Sequence, residues 1–221
     1  MLEAWSDPTM TAVARELGLP AAVLVGLNDH DVRYEVIDGQ LAVPEDAEFH
    51  PWLFELLEEL EVRHELLDGY LLVTPPPGSD HEFAVAELFF QLRSQLPSSL
   101  RIFASSLGYF YEGSSYSLAD VTVVRAEDVE PRGTTVPPAL LVEVLSPTTR
   151  RADVGHKRDI YAEHGVPHYW LVDPSERSVV ILELNGSEYV EAVRGSEGAT
   201  LALDRPFVMM VELARLWLPT S

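Results

Sequence analysis

One stretch constrains the architecture of this chain more than any other: Ala139-Leu-Leu-Val-Glu-Val-Leu145 is apolar almost throughout and carries a single charge, Glu143. A short apolar run of this kind predicts a strand buried on both faces. An unpaired carboxylate inside such a strand is expensive, so Glu143 requires a partner. Asp120 stands at the head of a second predicted strand, Ala119-Asp-Val-Thr-Val-Val124. Two carboxylates from neighbouring strands can share a divalent cation, and their hard oxygens suit Mg²⁺ or Mn²⁺. A purely structural alternative pairs Glu143 with Arg150, Arg151 or His156.

The remaining elements predict a mixed α/β order. Pro8 to Leu17 reads as a short helix capped by Asp7 or Ser6. Val32-Arg-Tyr-Glu-Val-Ile-Asp-Gly-Gln-Leu-Ala-Val43 then recurs thirty residues later as Val62-Arg-His-Glu-Leu-Leu-Asp-Gly-Tyr-Leu-Leu-Val73, with seven of twelve positions identical. Each copy predicts a hairpin, because Asp38-Gly39 and Asp68-Gly69 tolerate the positive φ of a tight primed turn. Pro51 to Leu60 predicts an amphipathic helix. The Pro75-Pro-Pro-Gly78 loop leads into another from His81 to Leu96, capped by Ser79 or Asp80. Strands are expected near Leu100–Ala104, Tyr109–Glu112, Ala119–Arg125, Tyr169–Val172, Ser178–Leu184 and Tyr189–Val193, with helices over Val154–His164 and Val211–Leu216.

Composition removes several chemistries. Cysteine is absent, so thiol nucleophiles, disulfides and thiolate zinc sites are excluded, and any metal must rest on oxygen or imidazole. There is no apolar run of about eighteen residues or more, and Met1 to Met10 lacks a basic, then apolar, leader; a soluble cytoplasmic protein with no membrane partner is expected. The formal charge of -21 opposes non-specific adhesion to nucleic acid, so a nucleic-acid groove would have to be locally basic. Of fifteen basic residues, fourteen are Arg and only Lys157 is Lys. A lysine is a compact point charge whose proton can be tuned, which arginine cannot match. Ser146 to Arg158 concentrates Arg150, Arg151, Arg158, His156 and Lys157 just after Glu143 and forms the best candidate phosphate patch; it also reads as a solvated helix start balanced by Asp153 and Asp159.

Together, Glu65-Leu-Leu-Asp-Gly69, Pro75-Pro-Pro77, His81, Ala119-Asp-Val121, Val142-Glu-Val-Leu-Ser-Pro-Thr-Thr149, Asp153, Lys157, Tyr161 and Gly165-Val-Pro-His-Tyr-Trp-Leu-Val-Asp173 resemble the bacterial Uma-two family of restriction-endonuclease-like proteins, within the PD-(D/E)XK nuclease superfamily. The resemblance covers roughly Pro51 to Trp217. It implies an α/β fold, a restriction-endonuclease-like mixed β-sheet flanked by helices over residues 51–221. Residues 1–50 then form an N-terminal extension whose hairpin either lengthens the sheet or contacts another subunit of a homodimer. Carried over by position, Asp120 and Glu143 become the metal-binding acids and Lys157 the basic member. The usual E-x-K lysine would fall at Leu145, and the family moves it to the following helix. Glu65 and His81 match further recurrent positions and would complete the metal site or position water; Glu35 and His50 mimic them in the first copy, but only the second copy leads through the proline loop into the expected helix. The Gly165 to Asp173 block reads as structural, and His164 and His168 stand apart from any ligand pattern.

The resulting expectation is a Mg²⁺- or Mn²⁺-dependent endonuclease hydrolysing phosphodiester bonds, with DNA as substrate, Asp120, Glu143, Lys157, Glu65 and His81 at its site, and Arg150, Arg151 and Arg158 on phosphate. Two rivals accommodate the acidic surface: a catalytically silent nuclease-fold binding or assembly module, and a hydrolase of a small phosphorylated substrate.

Overall fold

The computed structural model describes residues 8–37, 39–44, 51–105 and 107–219. Its chain divides into two compact units, Met1–Pro76 and Pro77–Ser221, at the proline run. The first unit contains α1 (Pro8–Glu16), α2 (Ala21–Asp29), β1 (Glu35–Ile37), β2 (Gln40–Pro44), α3 (Pro51–Glu59), β3 (His64–Leu67) and β4 (Tyr70–Val73). The predicted caps Ser6 and Asp7 lie outside the described residues, as does Asp38.

The duplicated sequence is a duplicated hairpin. In the second copy Asp68 and Gly69 both have positive φ, 46° and 81°, as a primed two-residue turn requires, and Gly39 repeats the pattern at 85°. The return strands β2 and β4 pair antiparallel with Ala42 opposite Leu72, Leu41 opposite Val73 and Val43 opposite Leu71. Equivalent residues of the two copies therefore meet about a local two-fold, giving the order β1-β2-β4-β3. Helix α2 has no counterpart among the predicted elements. Its apolar residues surround the axis rather than forming a stripe, and Gly26 lets it approach α3 closely, since a Cβ there would stand 2.9 Å from the Trp52 ring.

The second unit runs α4 (Ser79–Gln95), β5 (Leu100–Ala104), β6 (Gly108–Glu112), β7 (Ser115–Ser117), β8 (Val121–Arg125), β9 (Gly133–Thr134), β10 (Leu140–Val144), α5 (Lys157–Glu163), β11 (His168–Asp173), β12 (Ser178–Asn185), β13 (Glu188–Ser196), β14 (Thr200–Leu203) and β15 (Met209–Glu212). Its main sheet has the order β13-β12-β11-β10-β8-β5. Neighbours are antiparallel except β10 and β11, which are parallel and joined through α5. A parallel pair requires such a crossover, and here the crossover carries Lys157.

Strand alternation sorts the two faces of this sheet. Val121 and Val123, Leu140, Val142 and Val144, and Trp170 and Val172 join Ala84, Val85, Leu88 and Leu92 of α4 in one apolar core. The alternate positions, Glu143 and Tyr169 among them, face α5: Tyr161 reaches Glu143 and lies edge-on to Tyr169. Helices thus cover both faces, which explains why the Leu140–Val144 run is apolar at every position but one. The segment Val211–Leu216, expected as a helix, instead completes β15 and turns into a 3₁₀ segment at Leu213–Leu216. Met209 and Val211 are buried while Met210 and Glu212 are exposed, so a period of two governs there.

Candidate active site

The two acids are brought together by register. Val142 pairs with Val121 and Leu141 with Thr122 across β10 and β8. That pairing ends one residue short of Asp120 on one strand and of Glu143 on the other. Asp120 sits just before the first residue of β8, and its Oδ2 accepts the main-chain N–H of Val144 at 2.8 Å. The same oxygen lies 3.0 Å from Nε2 of His81, which the first turn of α4 brings to the strand ends. His81 is 8% exposed and Asp120 3%.

Glu143 has the partner that its burial demands. Its Oε1 accepts hydrogen bonds from Lys157 Nζ and Tyr161 Oη, each at 3.1 Å. The structural alternative drawn from the sequence named Arg150, Arg151 or His156; Lys157 takes that place. Glu143 is 2% exposed and Lys157 3%, so both charges are removed from water and their attraction is strengthened by the low local polarity. Asp153 Oδ1 stands 3.5 Å from the same ammonium.

Asp153 and Tyr161 were not named as site members from the sequence, although Asp153, Lys157 and Tyr161 recur every four residues and so share one helical face. A solvated helix start would expose Asp153. It is buried, because a π-helical turn, Ala152–His156, precedes α5 and rolls this face onto the sheet.

The basic residues are dispersed. Arg150 pairs through Nη2 with Asp173 and lies 3.2 Å from the Ser175 hydroxyl. Burial opposes ionisation of Asp173, yet hydrogen bonds from Ser175, Arg150 and the Glu176 amide hold its carboxyl below the ordinary aspartate value. Arg158 Nη2 donates to the Tyr189 carbonyl at 3.2 Å, beside a groove of about 740 Å³ whose other charged residues, Asp159, Glu163 and Glu188, are acidic. Arg151 is exposed at the helix start. Glu65 lies on β3 of the first unit, opposite Leu72 and 2% exposed.

Asp120 and Glu143 supply hard oxygen donors from adjacent strands, which suits a divalent cation. Among the described residues no group of three His, Asp or Glu side chains is arranged to hold a metal. A divalent ion here would therefore rest on the two carboxylates, with main-chain oxygen or water completing its shell.

Comparison with known proteins bears on this arrangement. The profile of the Uma2 family, described as "Putative restriction endonuclease", matches residues 46–215. No curated protein matches the chain. A crystal structure from Anabaena variabilis, of "a putative nuclease belonging to DUF820", superposes with a TM-score of 0.62 at 21% identity, covering 76% of this chain and 97% of the other. That likeness establishes a shared fold. No helix among the described residues is long and apolar enough to cross a membrane.

Proposed function

The chain belongs to the Uma2 family, and from that membership we propose that it is a Mg²⁺- or Mn²⁺-dependent endonuclease that hydrolyses phosphodiester bonds in DNA. The observation that carries the reading is the placement of the chain's one lysine, 3% exposed, against Glu143 near the end of β10, where the next residue, Val144, gives its amide to Asp120 Oδ2. A surface-stabilising role does not require a buried ammonium, and a buried ion pair is weak support for stability.

Asp120 and Glu143 would hold the cation, which supplies charge for the scissile phosphate and acidifies bound water. Lys157 Nζ orients the attacking water and offsets negative charge gathering on the phosphate. Tyr161 Oη, by donating to Glu143, fixes that carboxylate's rotamer; His81 does the same for Asp120. Glu65 is proposed as a further catalytic acid on its family position alone. For phosphate contact the reading leans on Arg151, which is exposed at the start of the helix that carries Lys157.

A second reading, a nuclease-fold module that binds without cleaving, is favoured by the -21 charge and by the near-complete burial of Asp120, Glu143, Asp153 and Lys157. One assay separates the two. Supercoiled and linear DNA are incubated with Mg²⁺ or Mn²⁺, beside EDTA and Glu143→Gln controls. Cleavage that needs the metal and is lost in Glu143→Gln supports the nuclease; salt-sensitive DNA binding without cleavage supports the module.

A further inference from the structure

We propose that Asp153 is a positioning residue of this site: it grips the Lys157 ammonium from the helix side and so sets the direction in which Nζ meets Glu143. Its catalytic consequence rests on the nuclease reading; the grip itself does not.

Three observations converge on it. First, Lys157 Nζ contacts two carboxylates, donating a hydrogen bond to Glu143 Oε1 at 3.1 Å on the sheet and standing 3.5 Å from Asp153 Oδ1 on the preceding turn, an ion-pair contact without a hydrogen bond that leaves this buried oxygen aimed at the ammonium. A flexible four-carbon arm held at one end by a single partner can swing about it; a second partner on the other side removes that freedom. Second, the backbone of Asp153 is itself pinned. Its carbonyl accepts the Tyr169 hydroxyl at 2.8 Å and its amide donates to Thr149 O at 2.9 Å, so the backbone that carries the buried carboxylate is tied to β11. Third, the turn that carries it is π-helical, with the Lys157 amide reaching back five residues to Ala152 O. Single π turns are costly local departures and concentrate at functional sites. Here the wider turn stacks Asp153 over Lys157 and turns both inward.

Charge bookkeeping favours function over stability. Glu143 alone would neutralise Lys157, yet a second acid, 1% exposed, shares the same ammonium and leaves the cluster of Asp153, Glu143 and Lys157 with a formal charge of -1. A cluster kept for stability would be served as well by asparagine at 153, since buried excess charge is unfavourable.

Because Lys157 is the chain's one lysine, labelling with ¹³C-lysine gives a single side-chain signal, readable whether or not the protein cleaves. In the parent protein the two ε-methylene protons should be distinct, as in a held side chain. In Asp153→Asn they should move toward one averaged shift. With DNA and Mg²⁺, kcat should fall about 10- to 100-fold, the range for a residue that orients another, with KM nearly unchanged. An unchanged Lys157 signal, or a changed signal with parental kcat, overturns the proposal. Collapse of the thermal midpoint in both Asp153→Asn and Asp153→Glu would make the residue structural and also overturn it. If the parent protein cleaves nothing, the nuclease reading falls while the Lys157 signal still decides whether Asp153 holds it.

Discussion

Asp120 Oδ2 accepts the amide of Val144 at 2.8 Å, so a side chain of one strand takes up the hydrogen bond that its neighbour's ladder has run out of. Strand β8 begins at Val121, and the carboxylate just before it completes the edge of β10 one residue beyond Glu143. The Asp120 carboxylate is thereby tied to the backbone next to Glu143 by a main-chain amide donating to a side-chain oxygen, independent of any ion.

That relationship separates two substitutions at Asp120. Asn keeps an oxygen for the Val144 amide, so Asp120→Asn should fold with a thermal midpoint near the parent's and lose metal-dependent cleavage. Ala leaves a buried N–H unsatisfied and should cost about 1–3 kcal/mol in urea unfolding as well. Equal stability of the two variants would show that the bond contributes nothing.

Lys157→Arg keeps a positive charge but not the chemistry. Guanidinium cannot readily give up a proton, and its planar fork aims donors differently. Cleavage should fall by about 10²- to 10⁴-fold while DNA affinity at low salt is largely retained. Lys157 is 3% exposed, so fitting the larger guanidinium in its place is expected to cost about 1–3 kcal/mol in overpacking. Parental cleavage would reduce Lys157 to a charge clamp.

His168 gives the fold a pH dependence away from the site. Burial lowers its pKa below the ordinary value, with Glu183 opposing and Arg205 adding to the shift. The unfolded chain therefore takes up the proton first, and stability, complete above about pH 6.5, falls as the pH drops through that value. His168→Gln should flatten urea midpoints between about pH 7 and pH 5. A parental slope in the variant would contradict the assignment.

Asp173 works in the acid range. Its lowered pKa means that its contribution is present above the unfolded aspartate value, about 3.9, and is lost as pH falls through the lower folded value. Asp173→Asn should be less stable than the parent at pH 7 and lose less on acidification. It also releases Arg150, which should strengthen low-salt DNA binding.

Legibility in the sequence followed how local each constraint was. The paired Asp-Gly turns, the apolar run around Glu143 and the lone lysine are short-range signals, and each has a direct structural counterpart: positive φ at Asp68 and Gly69, a strand covered on both faces, an ammonium on the Glu143 carboxylate. Long-range partners were illegible. Arg150 reads as a phosphate ligand until Asp173, twenty-three residues later, is seen to hold it. Asp153 reads as a charge balancing a solvated helix start because nothing in the sequence announces a π turn. Val211–Leu216 follows a helical period over too few residues to exclude the alternation that packs Met209 and Val211 against the core. Glu65 and His81 come from the family pattern, and His81 Nε2 lies 3.0 Å from Asp120 Oδ2.

The central claim, that Asp120 and Glu143 share one cation beside Lys157, is tested most directly by crystals soaked in Mn²⁺ and measured for anomalous scattering. One peak is predicted within about 2.0–2.3 Å of a carboxylate oxygen from each acid, as a hard divalent ion requires, and it should vanish in Glu143→Gln. A soaked crystal with Mn²⁺ bound elsewhere and none between these two carboxylates would contradict the account.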